Sequence, residues 1–407
     1  MIDALLVTAF VVYALWVGIR SRRQASEGLE AYFLAGRRLG GWQAGLSMTA
    51  TQYAADTPLL AAGLVATGGL FALWRLWVYG LAFLALGFLL GGCWWRAGVV
   101  TDAELCELRY GGRPAVVLRT LKAFYYGVLF NCAVLAMVLA ATVRIAELFL
   151  RFDLWLPVWL FEPIVELVRH VGVPLAVDPT GSEVWTRSAS NLISVVSIYA
   201  FTVLYSATGG LRSVVRTDLG QLGLLAAATG AYAWLAADAV GGFGALAPAL
   251  AATVGEARAE SLLALDPWRA ADVSGALLGV IGLQWLAQMN SDGTGYLAQR
   301  CMACRTPEEA RRAPVIFAFA QVGLRTLLWA PILISLLVLF PLGATPEAAV
   351  RELDFVQGME RVLPPGIRGL MLVGMLAALA STLDTHLNWG ASYLSNDLYA
   401  RGVCRGL

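Results

Sequence analysis

The chain has 407 residues, of which 59% are hydrophobic and 14% charged, with a net charge of +1 and a mean hydropathy of +0.69. A soluble domain carries roughly 25% charged residues, so this composition points to an integral membrane protein built as a single transmembrane domain. Near-balanced charge gives no reason to expect nucleic acid as a partner, and the six cysteines form no disulfide framework.

A crossing of the bilayer takes about 20 apolar residues, and about nine such spans follow one another. They cover 2–20, 43–66, 69–95, 120–149, 188–208, 217–240, 273–297, 314–341 and 366–396. The first has no basic stretch before it and no small-residue cleavage site after it, so a retained helix is expected rather than a signal peptide. Thr101–Glu104 carries a capping-box pattern that predicts a short helix. In the 151–187 connection, Trp155, Trp159 and Phe161 precede Glu162, Glu166, Arg169 and His170, a pattern that predicts an interfacial amphipathic helix. Residues 241–265 predict another external helix. Cys301 and Cys304 form a lone CxxC with no further ligands nearby and are read as incidental thiols.

Charge alternates between the connections. Arg20, Arg22, Arg23, Arg37 and Arg38 lie in the first, Arg96 to Lys122 in the third, Arg212 and Arg216 in the fifth, and Arg300, Arg305, Arg311 and Arg312 in the seventh. The intervening connections are acidic or mixed, with Glu256, Glu260, Glu352 and Asp354 among them. Basic loops stay on the cytoplasmic side. The expectation is a multi-pass protein of the cell inner (plasma) membrane, N-terminus outside and C-terminus inside.

Three spans carry polar breaks. Ser47 to Pro58 mixes hydroxyls, Gln52 and Asp56 with a helix-breaking proline. Gln288 to Gly295 interrupts the seventh span. Ser381, Thr382, Asp384, Thr385, His386 and Asn388 crowd the last one. Ionisable groups at membrane depth usually face an ion or substrate pathway, and broken helices near the midplane suit a transporter better than a channel.

These segments carry a resemblance. Tyr32–Arg37, Thr101–Gly111, Gly209–Gln221, Gln299-Arg300, Ser381-Thr382-Leu383 with Leu387-Asn388, and Asn396–Tyr399 occur in the order found in sodium:solute symporters, and the chain resembles that family over nearly its whole length. The resemblance implies an all-α integral membrane protein of the leucine-transporter-type inverted-repeat fold, with an extra N-terminal helix at 1–20. The first five-helix repeat would fill 43–240 and a partial second repeat 273–407. Core helices nine and ten of that scheme have no counterpart, so the chain is expected to be a fragment or to be completed by a partner.

Sodium, the implied coupling ion, is a hard cation that takes oxygen ligands. Ser381 and Thr382 offer hydroxyls, and Ala378 one turn earlier offers a carbonyl. The resemblance adds the carbonyls of Ala50 and Tyr53. The plain alternative is that the hydroxyls back-bond to their own helix. Asp218 is, by resemblance, a sodium-exit residue, and equally a first-turn carboxylate complementing the helix dipole. Substrate contacts are expected from Gln52, Asp56 and Thr57 on one side, and from Gln284, Gln288, Asn290, Ser291 and Asp292 on the other. Sugar-carrying relatives place an aromatic gate at the position of Asn290, so sugar is not the expected solute. Asp56 and Asp292 either face a cationic or zwitterionic solute or pair with Arg325, where the family often has lysine. Asp384 and His386 point to different faces. His386 either carries a proton or bonds a neighbouring helix, with the second reading preferred. Trp285, Trp329 and Trp389 are read as packing residues.

The leading expectation is sodium-coupled uptake of a small polar solute by alternating access. The alternative is a symporter-like sensor domain cut from a histidine kinase, which sequence beyond residue 407 would decide. An enzyme is not expected, because no metal triad, nucleophile elbow or phosphate loop occurs.

Overall fold

The computed structural model describes residues 2–270, 273–286, 295–341 and 348–403. Among them the chain is helical, with one isolated β-bridge between Leu39 and Cys304. The helices that position the centre are α1 (Ile2–Ala25), α2 (Gly41–Gln52), α3 (Thr57–Gly68), α4 (Leu70–Ala97), α5 (Leu105–Arg109), α6 (Gly112–Phe149), α7 (Val158–Val171) and α8 (Val184–Asp238). They continue with α9 (Gly275–Leu286), α10 (Tyr296–Met302), α11 (Pro307–Leu339) and α12 (Ile367–Arg401). Of the described helical stretches, 6 are long and apolar enough to cross a membrane. Large apolar side chains such as Phe88 (68% exposed), Phe319 (70%) and Leu327 (75%) point outward, as lipid-facing surfaces require and a water-soluble surface would not tolerate.

The expected span at 43–66 is a helix broken in the middle. The break between α2 and α3 follows from Pro58 near the start of α3. Proline has no N–H to give the Ala54 carbonyl, and its ring would clash with it. That carbonyl takes the Thr57 N–H instead, at 3.1 Å. Of the seventh span, α9 and α10 are described, with Gly295 at φ 76° just before α10, and most of the polar run expected to interrupt it lies outside the described residues.

The expected fifth and sixth spans are the two arms of α8. They meet at Gly210, with φ 57° and ψ −162°, a conformation open to glycine alone. Helix resumes immediately after it, so Asp218 lies two turns into the second arm. This corrects the expectation that Asp218 sits in a first turn and serves the helix dipole. The 241–265 segment also differs from the expected single helix. It forms Leu246–Val254 and Glu256–Leu263, separated by Gly255 at φ 86°. In α7 the expected amphipathic pattern is present: Phe161, Val165 and Val168 are buried while Trp159 is 75% exposed.

Two helix groups result. In the first, α11 lies against α2 and α4. Gly41 and Gly45 of α2, and Gly87 and Gly91 of α4, are spaced four apart, and each pair lets the backbones close on α11. A Cβ at Gly45 would stand 2.5 Å from the Ala313 carbonyl, and one at Gly91 would stand 2.5 Å from that of Ala310. Small-xxx-small spacing of this kind is a common way for membrane helices to pack, because lipid offers no hydrophobic drive between helices. In the second group α8 packs along α1, α6 and α12.

At one end of the bundle an ionic cluster ties α5, α6 and α12 together. Arg119 meets Asp397 at 2.6 Å and Glu107 at 2.6 Å, Arg401 meets Glu107 at 3.0 Å, and Lys122 meets Asp102 at 3.0 Å. Hydrogen bonds from Arg401, and then from Arg119, hold the Glu107 carboxyl below the usual carboxylate range. The expected capping pattern appears here in a shifted form. The Thr101 hydroxyl accepts from the Glu104 N–H at 3.4 Å, and the Glu104 carboxylate accepts from the Val100 N–H at 3.0 Å.

The bend at Gly210 is testable. A Cβ there would stand 2.5 Å from the Tyr32 carbonyl, on top of about 1–3 kcal/mol of backbone strain. Gly210→Ala should therefore lower the thermal midpoint of the purified protein sharply. Gly223→Ala in the same helix, where nothing lies within 4 Å, should leave it unchanged or slightly raised. Equal midpoints for the two variants would contradict the bend.

Candidate functional site

The centre lies where the α2–α3 break, α10, the second arm of α8 and the middle of α12 meet. Arg300 of α10 is fully buried at 0% exposure. Its Nη2 donates to the Thr385 hydroxyl at 2.7 Å, its Nη1 to Gln299 Oε1 at 3.1 Å and its Nε to the Ser47 hydroxyl at 3.4 Å. Asp218, also 0% exposed, stands 3.9 Å from Nη2. Its two carboxylate oxygens accept from Ser47 and Ser381, each at 2.5 Å. The buried charges are thus paired and hydrogen-bonded, the condition under which burial is tolerable.

The candidate sodium ligands divide between two directions. Ser381 donates to Asp218. The Thr382 hydroxyl reaches the Thr51 carbonyl at 3.1 Å across the gap and the Ala378 carbonyl at 3.2 Å on its own helix. Back-bonding and cross-helix contact therefore coexist at Thr382. Because α2 ends at Gln52, the carbonyls of its last turn run out of helical amides after Thr49, which still accepts from the Tyr53 N–H at 2.8 Å. Ala50 and Tyr53 are buried there at 3% and 1% exposure. The candidate donors are of the kind sodium takes, hydroxyl and backbone carbonyl oxygens with no soft ligand among them, and of these the structure brings together the Thr382 hydroxyl and the Ala378 carbonyl while Ser381 turns to Asp218. The Tyr53 ring packs edge-on against Trp329 at 5.2 Å, so Trp329 is the packing residue that was expected.

Beside this set lies a cavity of about 320 Å³. Gln52, Asp56, Thr57, Arg325, Thr382 and His386 line it, with aromatic walls from Tyr79, Phe83, Phe130 and Tyr296. Four of the expected substrate residues are therefore brought together. Gln288, Asn290, Ser291 and Asp292 lie outside the described residues, and Gln284 is not among the described lining residues. Gln52 donates to the Tyr296 hydroxyl at 2.5 Å. Of the two readings given to Asp56, its ion pair with Arg325 does not form: both line the cavity, but no described carboxylate comes within 4.0 Å of the guanidinium, and Asp292, the other expected partner, lies outside the described residues. A larger groove of about 770 Å³ lies between α1, α8 and α12. Phe10, Phe149, Phe201 and Leu376 make its walls apolar, and the polar set described above is elsewhere.

His386 behaves as the preferred reading had it. Its Nδ1 bonds Asn131 Oδ1 at 2.8 Å, and the Asn131 amide returns a bond to the His386 carbonyl at 3.0 Å. Asp384 points to another face and accepts from the Tyr205 hydroxyl at 2.7 Å. Ser47, Thr51 and Thr385 stood in the polar runs without a role of their own, and Tyr296, Gln321 and Asn131 were not singled out from the sequence. A signal existed for two of them. Asn131 is a lone amide inside an apolar span, and Gln321 stands four residues before Arg325 in another, which puts the pair on one face.

Several hydrogen bonds of the centre join α2 or α10 to α8 or α12. Ser47 meets Asp218, Thr51 meets Thr385 at 3.0 Å, Arg300 meets Thr385, and Gln299 meets Asn388 at 3.0 Å.

A family model described as "Sodium:solute symporter family" matches residues 32–178 and 187–405. Sodium/glucose cotransporter 2 of Rattus norvegicus is 25% identical over 98% of this chain, which spans 58% of that relative's length. The sodium/glucose cotransporter of Vibrio parahaemolyticus is 24% identical over 98% of this chain and 68% of its own. Among solved structures, the substrate-bound outward-open state of a Na+-coupled sialic acid symporter superposes with a TM-score of 0.71 at 18% identity. The match covers 98% of this chain and 75% of that one.

The Arg300–Asp218 arrangement predicts non-additive stability effects. Removing one member of a buried pair typically costs about 3–5 kcal/mol, because the other charge is left uncompensated. Asp218→Asn and Arg300→Met should each lower the thermal midpoint strongly. The double variant should lie above the sum of the two losses. Strict additivity would mean that the two charges do not support each other.

Proposed function

The chain belongs to the sodium:solute symporter family and has its leucine-transporter-type fold as a multi-pass membrane protein, and from that footing we propose that it couples sodium entry to uptake of a small polar solute by alternating access. The observation that carries the reading is the meeting of Thr382, Ala378 and the end of α2 beside a polar cavity at a broken helix. Sodium would be held by the Ser381 and Thr382 hydroxyls and by the carbonyls of Ala50, Tyr53 and Ala378. Asp218, bonded to Ser381, would take the ion over on its way out. Gln52, Asp56, Thr57 and Arg325, together with Gln288, Asn290, Ser291 and Asp292, would contact the solute. Residues 43–240 would form the first five-helix repeat and 273–407 a partial second repeat of opposite orientation, with 1–20 outside both. The basic connections lie on the cytoplasmic side, so the N-terminus is outside the cell and the C-terminus inside.

Ser381→Ala combined with Thr382→Val removes two oxygens at nearly constant volume. The sodium concentration needed for binding or uptake should rise at least about tenfold, the effect of losing hydrogen-bond-scale ligand energy. Unchanged sodium dependence in a folded double variant would refute the ligand assignment. Orientation is tested separately. Cysteines placed at 160–170 should label from outside intact cells, and cysteines placed at 305–312 should label only after permeabilisation. The opposite result would reverse the topology.

A further inference from the structure

Arg325 is a buried guanidinium with few partners among the described residues. It is 4% exposed, and its plane rests 4.8 Å from the Trp329 ring centroid. Arginine carries five N–H donors, yet the only described hydrogen bond is from Nη1 to the Gln52 carbonyl, at a long 3.4 Å. An unpaired buried charge is costly, and this one lines the 320 Å³ cavity, where Asp56 is present but does not pair with it.

Gln321 lines the same cavity four residues earlier on α11. It is 4% exposed, and its Oε1 has no hydrogen-bond partner among the described residues. The backbone between the two side chains widens into a π-helical turn, Ala320–Leu324. Such turns are rare and concentrate at functional sites, because the extra residue re-aims the side chains around it. One helix face therefore presents a charged donor set and, one turn away, an acceptor, both buried and both incompletely used.

We infer that the solute is a small carboxylate with a hydrogen-bond donor, hydroxyl or ammonium, on the carbon next to the carboxyl group. The carboxylate would lie against Arg325, whose fork geometry matches it, and the donor would reach Gln321 Oε1. Gln321 is then a specificity-determining residue. A neutral polyol leaves the guanidinium unpaired, and a simple fatty acid leaves the amide oxygen unpaired. Each omission is penalised in a site whose polar groups are buried. The inference deepens the symport reading above and rests on it for the location of the site.

The test is ligand-induced thermal stabilisation of the full purified chain, with and without sodium. The probes are lactate, alanine and proline, their amides lactamide, alaninamide and prolinamide, and propionate. At least one of the three acids should bind. Its amide should bind about 10- to 100-fold more weakly, the scale of a lost charge-assisted hydrogen bond. Propionate should also bind more weakly than lactate or alanine. Arg325→Gln should remove binding of the acid, Arg325→Lys should retain part of it, and Gln321→Leu should bring lactate or alanine to the level of propionate. Stabilisation by sodium alone should survive in all three variants. Equal binding of acid and amide, undiminished acid binding in Arg325→Gln, or no acid binding in a protein that responds to sodium would each overturn the inference. Arg325-dependent acid binding in a protein indifferent to sodium would uphold it and overturn the symport reading instead.

Discussion

The centre of the molecule is organised by one constraint, a fully buried guanidinium at Arg300. Moving such a charge out of water costs several kcal/mol even after relaxation, so its surroundings must answer both the charge and the donors. Ser47 comes from α2, Gln299 from α10 itself, Thr385 from α12 and Asp218 from the second arm of α8. Asp218 in turn takes up Ser47 and Ser381. Satisfying a single side chain thus requires four elements, far apart in sequence, to meet at one depth. It also accounts for the backbone devices around it. The close glycine contacts bring α11 against α2, and the bend at Gly210 turns α8 back so that Asp218 faces inward.

Much of this was legible in the sequence, for identifiable reasons. Apolar spans are long signals with little ambiguity, and the Pro58 break and the polar run of α12 announce themselves against an apolar background. What the sequence could not give was direction. Ser381 and Thr382 are adjacent, yet one turns to Asp218 and the other to Thr51, because neighbouring residues on a helix point about 100° apart. Asp218 read as a first-turn residue because the helix start was placed by hydropathy, whereas the chain turns at Gly210, a matter of one residue's φ and ψ. Asp56 and Arg325 were natural partners by charge alone, but only the packing of α3 against α11 decides whether they reach each other.

Arg300 and Arg325 make an instructive contrast. Both are buried arginines resting near an aromatic ring, at 5.5 Å from Tyr296 and 4.8 Å from Trp329. The first is closed by side chains on every side and behaves as structure. The second opens on a cavity with one long bond among the described residues. Residue type and burial do not distinguish them, and the count of satisfied donors does.

The bonds across the centre run between hydroxyls, amides and carboxylates of two helix groups, α2 with α10 and α8 with α12. An apolar contact of the same area would resist opening in proportion to the hydrocarbon bared to water, roughly 25 cal/mol for each Å². A polar contact has no such tariff, since each donor or acceptor uncovered by separation can be taken up by a water molecule entering from the side. The boundary is polar only at its centre, for an apolar cluster that includes Leu59, Val65, Trp329, Leu225 and Met375 spans the same two groups. Water can replace the central bonds one for one, whereas opening the apolar part of the boundary would bare hydrocarbon, and the glycine-tight contacts hold α2, α4 and α11 together as one body.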